Sequence, residues 1–166
     1  MIIISDTSPI SNLLLIGQLP LLQKLYDQLI IPDSVFQEIQ VLETFGIDTS
    51  IIQLADWITV QSASDLKLVQ SLEADLDKGE SEAIALALEL NADRLLIDER
   101  IGRRVAKGYG LKITGLLGIL VLAKQENLIT ELKPLVDQLM HQAKFRIHPD
   151  LYRQILQDVD EWKSES

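Results

Sequence analysis

Four carboxylates, Asp6, Glu38, Glu80 and Asp98, occupy places in this chain where acids can do chemistry. Asp6 closes the run Ile2-Ile3-Ile4 and Asp98 closes Leu95-Leu96-Ile97, and both runs read as strands buried on both faces. In open α/β sheets, ligands bind in the crevice beyond the carboxyl ends of the strands. Glu38 borders the apolar stripe of Val35, Ile39 and Leu42 when residues advance about 100° each. By the same angle Glu80 shares the inward side of its helix with Ile84, Ala87 and Leu88, while Glu82 and Glu89 fall opposite. Singly, each acid is satisfied by a plainer role as helix cap, surface group or partner of a buried arginine. Four together are harder to absorb, because gathered carboxylates are costly to bury unless they are paired or bind cations.

An oxygen-only cluster suits Mg²⁺ or Mn²⁺. Such a cation polarises a phosphate, lowers the pKa of a bound water and orients it for in-line attack. Thr7 and Ser8, beside Asp6, can position that water or a carboxylate by hydrogen bonds. The stretch 100–112 holds Arg100, Arg103, Arg104, Lys107 and Lys112 and no acid, and so can take flanking phosphates. The chemistry expected is metal-dependent phosphodiester hydrolysis with no covalent enzyme intermediate.

The elements that must place these groups alternate along the chain. Ser8 is expected to cap a helix from Pro9 to Ile16 that ends at Gly17. A helix from Pro20 follows, then a strand Leu29-Ile30-Ile31 stopped by Pro32, and a helix capped by Asp33 or Ser34 running to about Phe45. Trp57 to Val60 reads as a strand, with a short helix before it and another from about Asp65 to Leu76. Gly79 introduces the Ala- and Leu-rich helix 80–91. After the strand ending at Asp98 come a basic helix, a short strand Lys112-Ile113 and an apolar helix from Leu116 to about Lys124. Thr130 is expected to cap a helix to Ala143, Phe145-Arg146-Ile147 looks extended, and Pro149 begins a last helix before an acidic tail. Alternation of this kind predicts a mostly parallel sheet of about five strands with helices on both faces, a three-layer α/β/α arrangement.

The remaining bounds are compositional. At 166 residues and 47% hydrophobic, the chain is expected to fold as one domain, with no linker or repeat dividing it. No run approaches the ~18 apolar residues of a membrane span, and the N-terminus lacks the marks of a signal peptide. No cysteine is present, which excludes disulfides and thiolate sites and suits a reducing, cytoplasmic setting. With two histidines, zinc chemistry is disfavoured. A net charge of −10 argues against an extended nucleic-acid surface and makes the basic stretch stand out.

Read as ordered fragments, the chain resembles the PIN-domain nucleases, in particular the toxin-like branch related to the VapC ribonucleases. The matching pieces are Asp6-Thr7-Ser8-Pro9, Ile31-Pro32 with Val35 and Glu38, Gly79-Glu80-Ser81-Glu82-Ala83-Ile84-Ala85-Leu86-Ala87, Leu96-Ile97-Asp98-Glu99-Arg100 and Thr114-Gly115-Leu116-Leu117-Gly118. They span residues 1 to about 125 in the family's order, and residues from about 130 to 166 read as a C-terminal helical extension, a candidate for dimerisation or antitoxin binding. The resemblance implies a PIN-like α/β/α fold, Mg²⁺ or Mn²⁺ as cofactor and endoribonuclease activity. Homodimers and, in toxin members, a small antitoxin protein are implied as well. By position it makes Asp6, Glu38, Glu80 and Asp98 catalytic, with Asp6, Glu80 and Asp98 on the metal. Thr7, Ser8 and Glu99 are then supporting residues, and Arg100, Arg103, Arg104 and Lys107 meet RNA. Two features depart from the toxins: the third acid is Glu80 where Asp is common, and the fourth position is doubled as Asp98-Glu99, leaving both in play.

Two other phosphate chemistries fit poorly. A haloacid-dehalogenase-type site wants a second Asp where Ser8 stands, and a receiver-type pocket wants a lysine after a late strand, whereas Lys112 precedes Ile113. The alternative from another class is a PIN-like module that binds RNA or protein without cutting.

Overall fold

A computed structural model describes residues 1–163, so that Glu165 of the acidic tail lies outside the described residues. The chain runs β1 (Ile3–Ser5), α1 (Thr7–Leu15), α2 (Pro20–Tyr26), β2 (Leu29–Ile31), α3 (Asp33–Gln40), a 3-10 turn (Val41–Phe45), α4 (Ser50–Gln53) and β3 (Ile58–Val60). It continues α5 (Leu66–Leu72), α6 (Lys78–Glu89), β4 (Arg94–Leu96), α7 (Arg100–Gly108), β5 (Ile113–Thr114), α8 (Leu116–Gln125), α9 (Lys133–Gln142) and α10 (Pro149–Asp158). The five strands form one sheet in the order β3-β2-β1-β4-β5, every pair parallel.

Successive strand residues point to opposite faces, and here each face is covered. Ile3, Leu29, Ile31 and Leu96 join one apolar cluster with α1, α2, α3, α8 and α9. Ile4, Leu95 and Ile97 join a second with α5, α6 and Ala106 of α7. The result is the expected three-layer α/β/α architecture. Leu132, Leu135, Val136 and Leu139 around α9, all buried, belong to the same cluster as the first strand, and Tyr152 and Ile155 of α10 pack against it.

The strand order reverses between β1 and β4. Chain growth moves outward from β1 through β2 to β3, then returns to β4 on the other side of β1. The register pairs Ser5 with Leu96, and the Asp6 N–H donates to the Leu96 carbonyl at 2.9 Å. The two strand ends that carry Asp6 and Asp98 are therefore neighbours at the topological switch point, where open α/β sheets form their crevice.

Several boundaries differ from the sequence expectation for identifiable reasons. Ile2 precedes the first strand and is 37% exposed, while the polar Ser5 takes the third buried strand position. Helix α1 starts at Thr7, because Asp6 already has the extended backbone of an N-cap; Ser8 lies inside the first turn, where Pro9 is still tolerated. Helix α6 starts at Lys78, capped by the Asp77 carboxylate, which accepts from the Glu80 N–H at 2.8 Å. Thr130 caps nothing. Helix α9 starts at Lys133, and the Glu161 carboxylate from the far end of the chain receives the Leu132 and Lys133 N–H groups at 2.8 and 2.9 Å. Phe145-Arg146-Ile147 joins no strand of the sheet. No helix among the described residues is long and apolar enough to cross a membrane.

Candidate active site

Asp6 comes from the end of β1, Glu38 from the last turn of α3, Glu80 from the first turn of α6 and Asp98 from the loop after β4. Asp6 and Glu80 are buried, at 3% and 7% exposure; Glu38 and Asp98 are half-buried. Each carboxylate has its own restraint. The Thr7 hydroxyl donates to Glu38 Oε2. The Leu116 N–H donates to Asp98 Oδ1 at 2.7 Å, and Ser8 Oγ stands 3.5 Å from Asp98 Oδ2 while accepting from Asn12 Nδ2 at 3.0 Å. Of the doubled pair, Asp98 is the one drawn inward, whereas Glu99 is exposed at the N-cap position of α7.

Two glycines make room for the acids. A Cβ on Gly79 would stand 2.8 Å from Glu38 Oε1, and one on Gly102 would stand 2.6 Å from Glu80 Oε2 and 2.9 Å from Ile97 Cδ1. Helices α6 and α7 thus present bare backbone where carboxylates from other elements lie.

The electrostatics follow from this crowding. Burial, reinforced by the charges of Asp77, Glu38 and Asp98, pushes the Asp6 carboxyl up to about 7, despite the Thr7 N–H that favours its ionised form. Burial and the neighbouring Asp77 push Glu80 up to about 8. Asp98 is raised by burial, with the Leu116 N–H and the Arg103 guanidinium pulling the other way. The ion pairs of the described residues, Lys124–Glu161, Lys133–Asp137 and His148–Asp150, all lie in the C-terminal part of the chain and touch none of these acids. The cluster therefore carries negative charge that the protein's own cations leave largely uncompensated.

That donor set, hard oxygens only with two carboxyls reluctant to ionise alone, fits a divalent cation of the Mg²⁺ type. The side chains are not drawn into a closed cage, however. Among the described residues, no group of three or more acids or histidines comes together closely enough to hold a metal ion. Glu38 is held by Thr7, Asp98 by Leu116, and Glu80 lies over Gly102, so the acids ring the crevice rather than meet at one point.

Asp77 is a group that sequence reasoning missed. It caps α6 and its charge acts on both Asp6 and Glu80. The spacing Asp77-Lys78-Gly79-Glu80 is that of a capping box, and this was the signal available. Glu82 is a correction in the other direction. Placed outward by helical angle, it is 8% exposed, and its Oε1 accepts from Ser34 N at 3.1 Å and Ser34 Oγ at 2.8 Å, tying α6 to the start of α3. Helix α6 is buried on every side from Gly79 to Ala87, so a one-sided periodicity argument fails there.

Arg100, Arg104 and Lys107 are exposed on α7, and Arg103 is half-buried, its guanidinium donating to the Ile97 carbonyl at 3.3 Å. All four line one cavity together with Asp98.

Compared with known proteins, the chain matches over residues 2–161 the model of the DUF3368 family, described as a PIN domain. No curated protein matches it.

Proposed function

Because this chain belongs to the PIN-domain family, we propose that it is a divalent-metal-dependent endoribonuclease that hydrolyses RNA phosphodiester bonds. One observation carries the reading: Asp6 and Asp98 end adjacent strands at the switch point, with buried Glu80 beside them and too little positive charge to balance the group.

In this reading Asp6, Glu80 and Asp98 hold Mg²⁺ or Mn²⁺ through carboxylate oxygens. When bound, the cation supplies polarisation of the scissile phosphate and a more acidic water. The chain's own residues do the rest. Glu38, fixed by Thr7, is the carboxylate free of the metal and available to orient the attacking water and take its proton. Ser8, oriented by Asn12, steadies Asp98 from the side opposite Leu116. Arg100, Arg103, Arg104 and Lys107 receive the phosphates on either side of the bond to be cut. Since water rather than the ribose 2′-hydroxyl is the nucleophile, the products carry no 2′,3′-cyclic phosphate. End analysis of fragments from a labelled RNA tests this, and cyclic phosphate ends contradict it.

We also read the protein as one domain, from its length and the lack of a linker or repeat, and as a homodimer and the toxin of a toxin–antitoxin pair, which rest on the resemblance of its motifs to the toxin-like branch. The open spacing of the acids favours one competing reading, a PIN-like module that binds RNA without cutting. The buried, charge-strained state of Asp6 and Glu80 weighs against it, since a pure binding module gains nothing from that cost.

Gly102→Ala tests the place of Glu80 in the cutting reading. Alanine in mid-helix gains about 1 kcal/mol over glycine, which offsets the small shift demanded of Ile97. Its methyl group displaces the Glu80 carboxylate. Cleavage should fall by roughly tenfold or more, equivalent to about 1.4 kcal/mol of lost transition-state stabilisation, while the melting temperature stays close to wild type. Undiminished cleavage would remove Glu80 from the chemistry.

A further inference from the structure

Helix α3, which carries Glu38, begins without a cap of its own. Pro32 at the N-cap has no side-chain acceptor, and the Asp33 carboxylate is engaged on the exposed side by Gln37 Nε2 at 2.7 Å. Glu82 supplies the missing acceptor from another helix. Its Oε1 alone receives both the Ser34 N–H at 3.1 Å and the Ser34 hydroxyl at 2.8 Å. Both residues are buried, and none of the ion pairs of the described residues involves Glu82. A buried carboxylate without a cation is costly unless its hydrogen bonds are good, and charge-assisted bonds at the start of a helix are of that kind.

The same two helices touch again one turn away. Ser34 and Glu38 are four residues apart on α3, and Gly79 and Glu82 are three apart on α6, so each pair shares a helix face. Ser34 meets Glu82, while Glu38 Oε1 lies 2.8 Å from where a Cβ on Gly79 would stand. The two contacts run in opposite order along the two helices. Holding the first at hydrogen-bond length therefore sets the second, and with it the approach of Glu38 to the turn that carries Glu80. Val35 and Ile39 bury α3 in the core, whereas the directional bonds to Glu82 fix where the helix stands along α6.

We infer that Glu82 is a positioning residue: by capping α3 from α6 it holds Glu38 over Gly79, in the place from which Glu38 serves the attacking water. What Glu38 does there rests on the ribonuclease reading; the clamp does not. Glu82 needs no contact with RNA or with the cation.

Cleavage kinetics on a labelled RNA with Mn²⁺, run well below the melting temperature, and hydrogen exchange of the α3 amides test this together. Glu82→Ala removes the acceptor. It should speed exchange across residues 34–38 by roughly tenfold or more and lower kcat by roughly tenfold to a hundredfold with KM unchanged. Glu82→Gln keeps a carbonyl oxygen of the same reach and should return kcat to within about threefold of wild type. Ser34→Ala removes one of the two bonds without touching the buried charge. It should move both readouts the same way by less, and it replaces Glu82→Ala should that variant not fold. In a Glu38→Gln background, Glu82→Ala should lower kcat by less than about twofold further, because its effect passes through Glu38.

Unchanged exchange in α3 when the bonds are removed overturns the clamp, and faster exchange with unchanged kcat overturns the positioning role. Glu82→Gln as slow as Glu82→Ala would mean that the charge itself is used. A full further loss in the Glu38→Gln background would mean a general weakening of the fold. Either result contradicts the inference. Should wild type leave RNA whole, the nuclease reading falls and the role of Glu82 in cutting falls with it, while exchange still decides the clamp.

Discussion

Asp6→Asn is expected to yield a protein that is more stable than wild type at pH 8 without metal and that no longer cuts RNA. The sign follows from the Asp6 carboxyl, whose ordinary value of 3.8 is raised to about 7 in the fold, chiefly by burial. Between those values the unfolded chain releases a proton that the folded chain retains, so stability falls as pH rises from about 4 and levels off above about 7. At pH 8 the folded protein bears the full cost of a buried, repelled carboxylate. A shift of this size corresponds to at most about 4 kcal/mol. An amide that fits less well than a protonated acid should recover about 2 kcal/mol, roughly 4–8 °C in melting temperature for a chain of this length. The difference between variant and wild type should shrink on acidification, pass through zero at roughly pH 5.5, and reverse to about 2 kcal/mol in favour of wild type below about pH 4, where Asp6 is protonated in both states. Cleavage should meanwhile drop by roughly 10³-fold or more, a loss of about 4 kcal/mol. A variant less stable than wild type at pH 8 would mean that Asp6 is paired in a way its surroundings do not show.

The second large effect is that of the cation itself. Mn²⁺ at about a hundred times its dissociation constant should stabilise the protein by about 2.7 kcal/mol, or roughly 5–10 °C. Because Asp6 and Glu80 are held up to about 7 and 8, protons compete with the metal throughout the acidic range. The rise should therefore be large at pH 8 and small at pH 5, and Asp6→Asn should lose most of it. Thermal melts with and without Mn²⁺ at the two pH values check this. An equal rise in wild type and variant would place the bound cation elsewhere on this acidic chain.

The fold was legible because its strands announce themselves. Ile2 to Ile4, Leu29 to Ile31 and Leu95 to Ile97 are apolar runs bounded by Asp6, Pro32 and Asp98, and that combination marks a buried parallel strand even without periodicity. The arrangement of the acids was legible only in part. Strand ends placed Asp6 and Asp98, but helical angles mislead on a helix enclosed by sheet and neighbours, and Glu82 turned inward to cap α3. Asp77 and Glu161 were missed because a cap is a contact between a side chain and backbone that the hydrophobic pattern does not register.

Cleavage of a labelled single-stranded RNA by wild type and Asp6→Asn, in EDTA and then with Mn²⁺ restored to the same samples, addresses the central claim most directly. The expected result is intact RNA for both proteins in EDTA and, on adding Mn²⁺, fragments from wild type alone. RNA cut in EDTA, cut equally by Asp6→Asn, or left whole by wild type with metal present would contradict a cation-dependent nuclease built on these four acids.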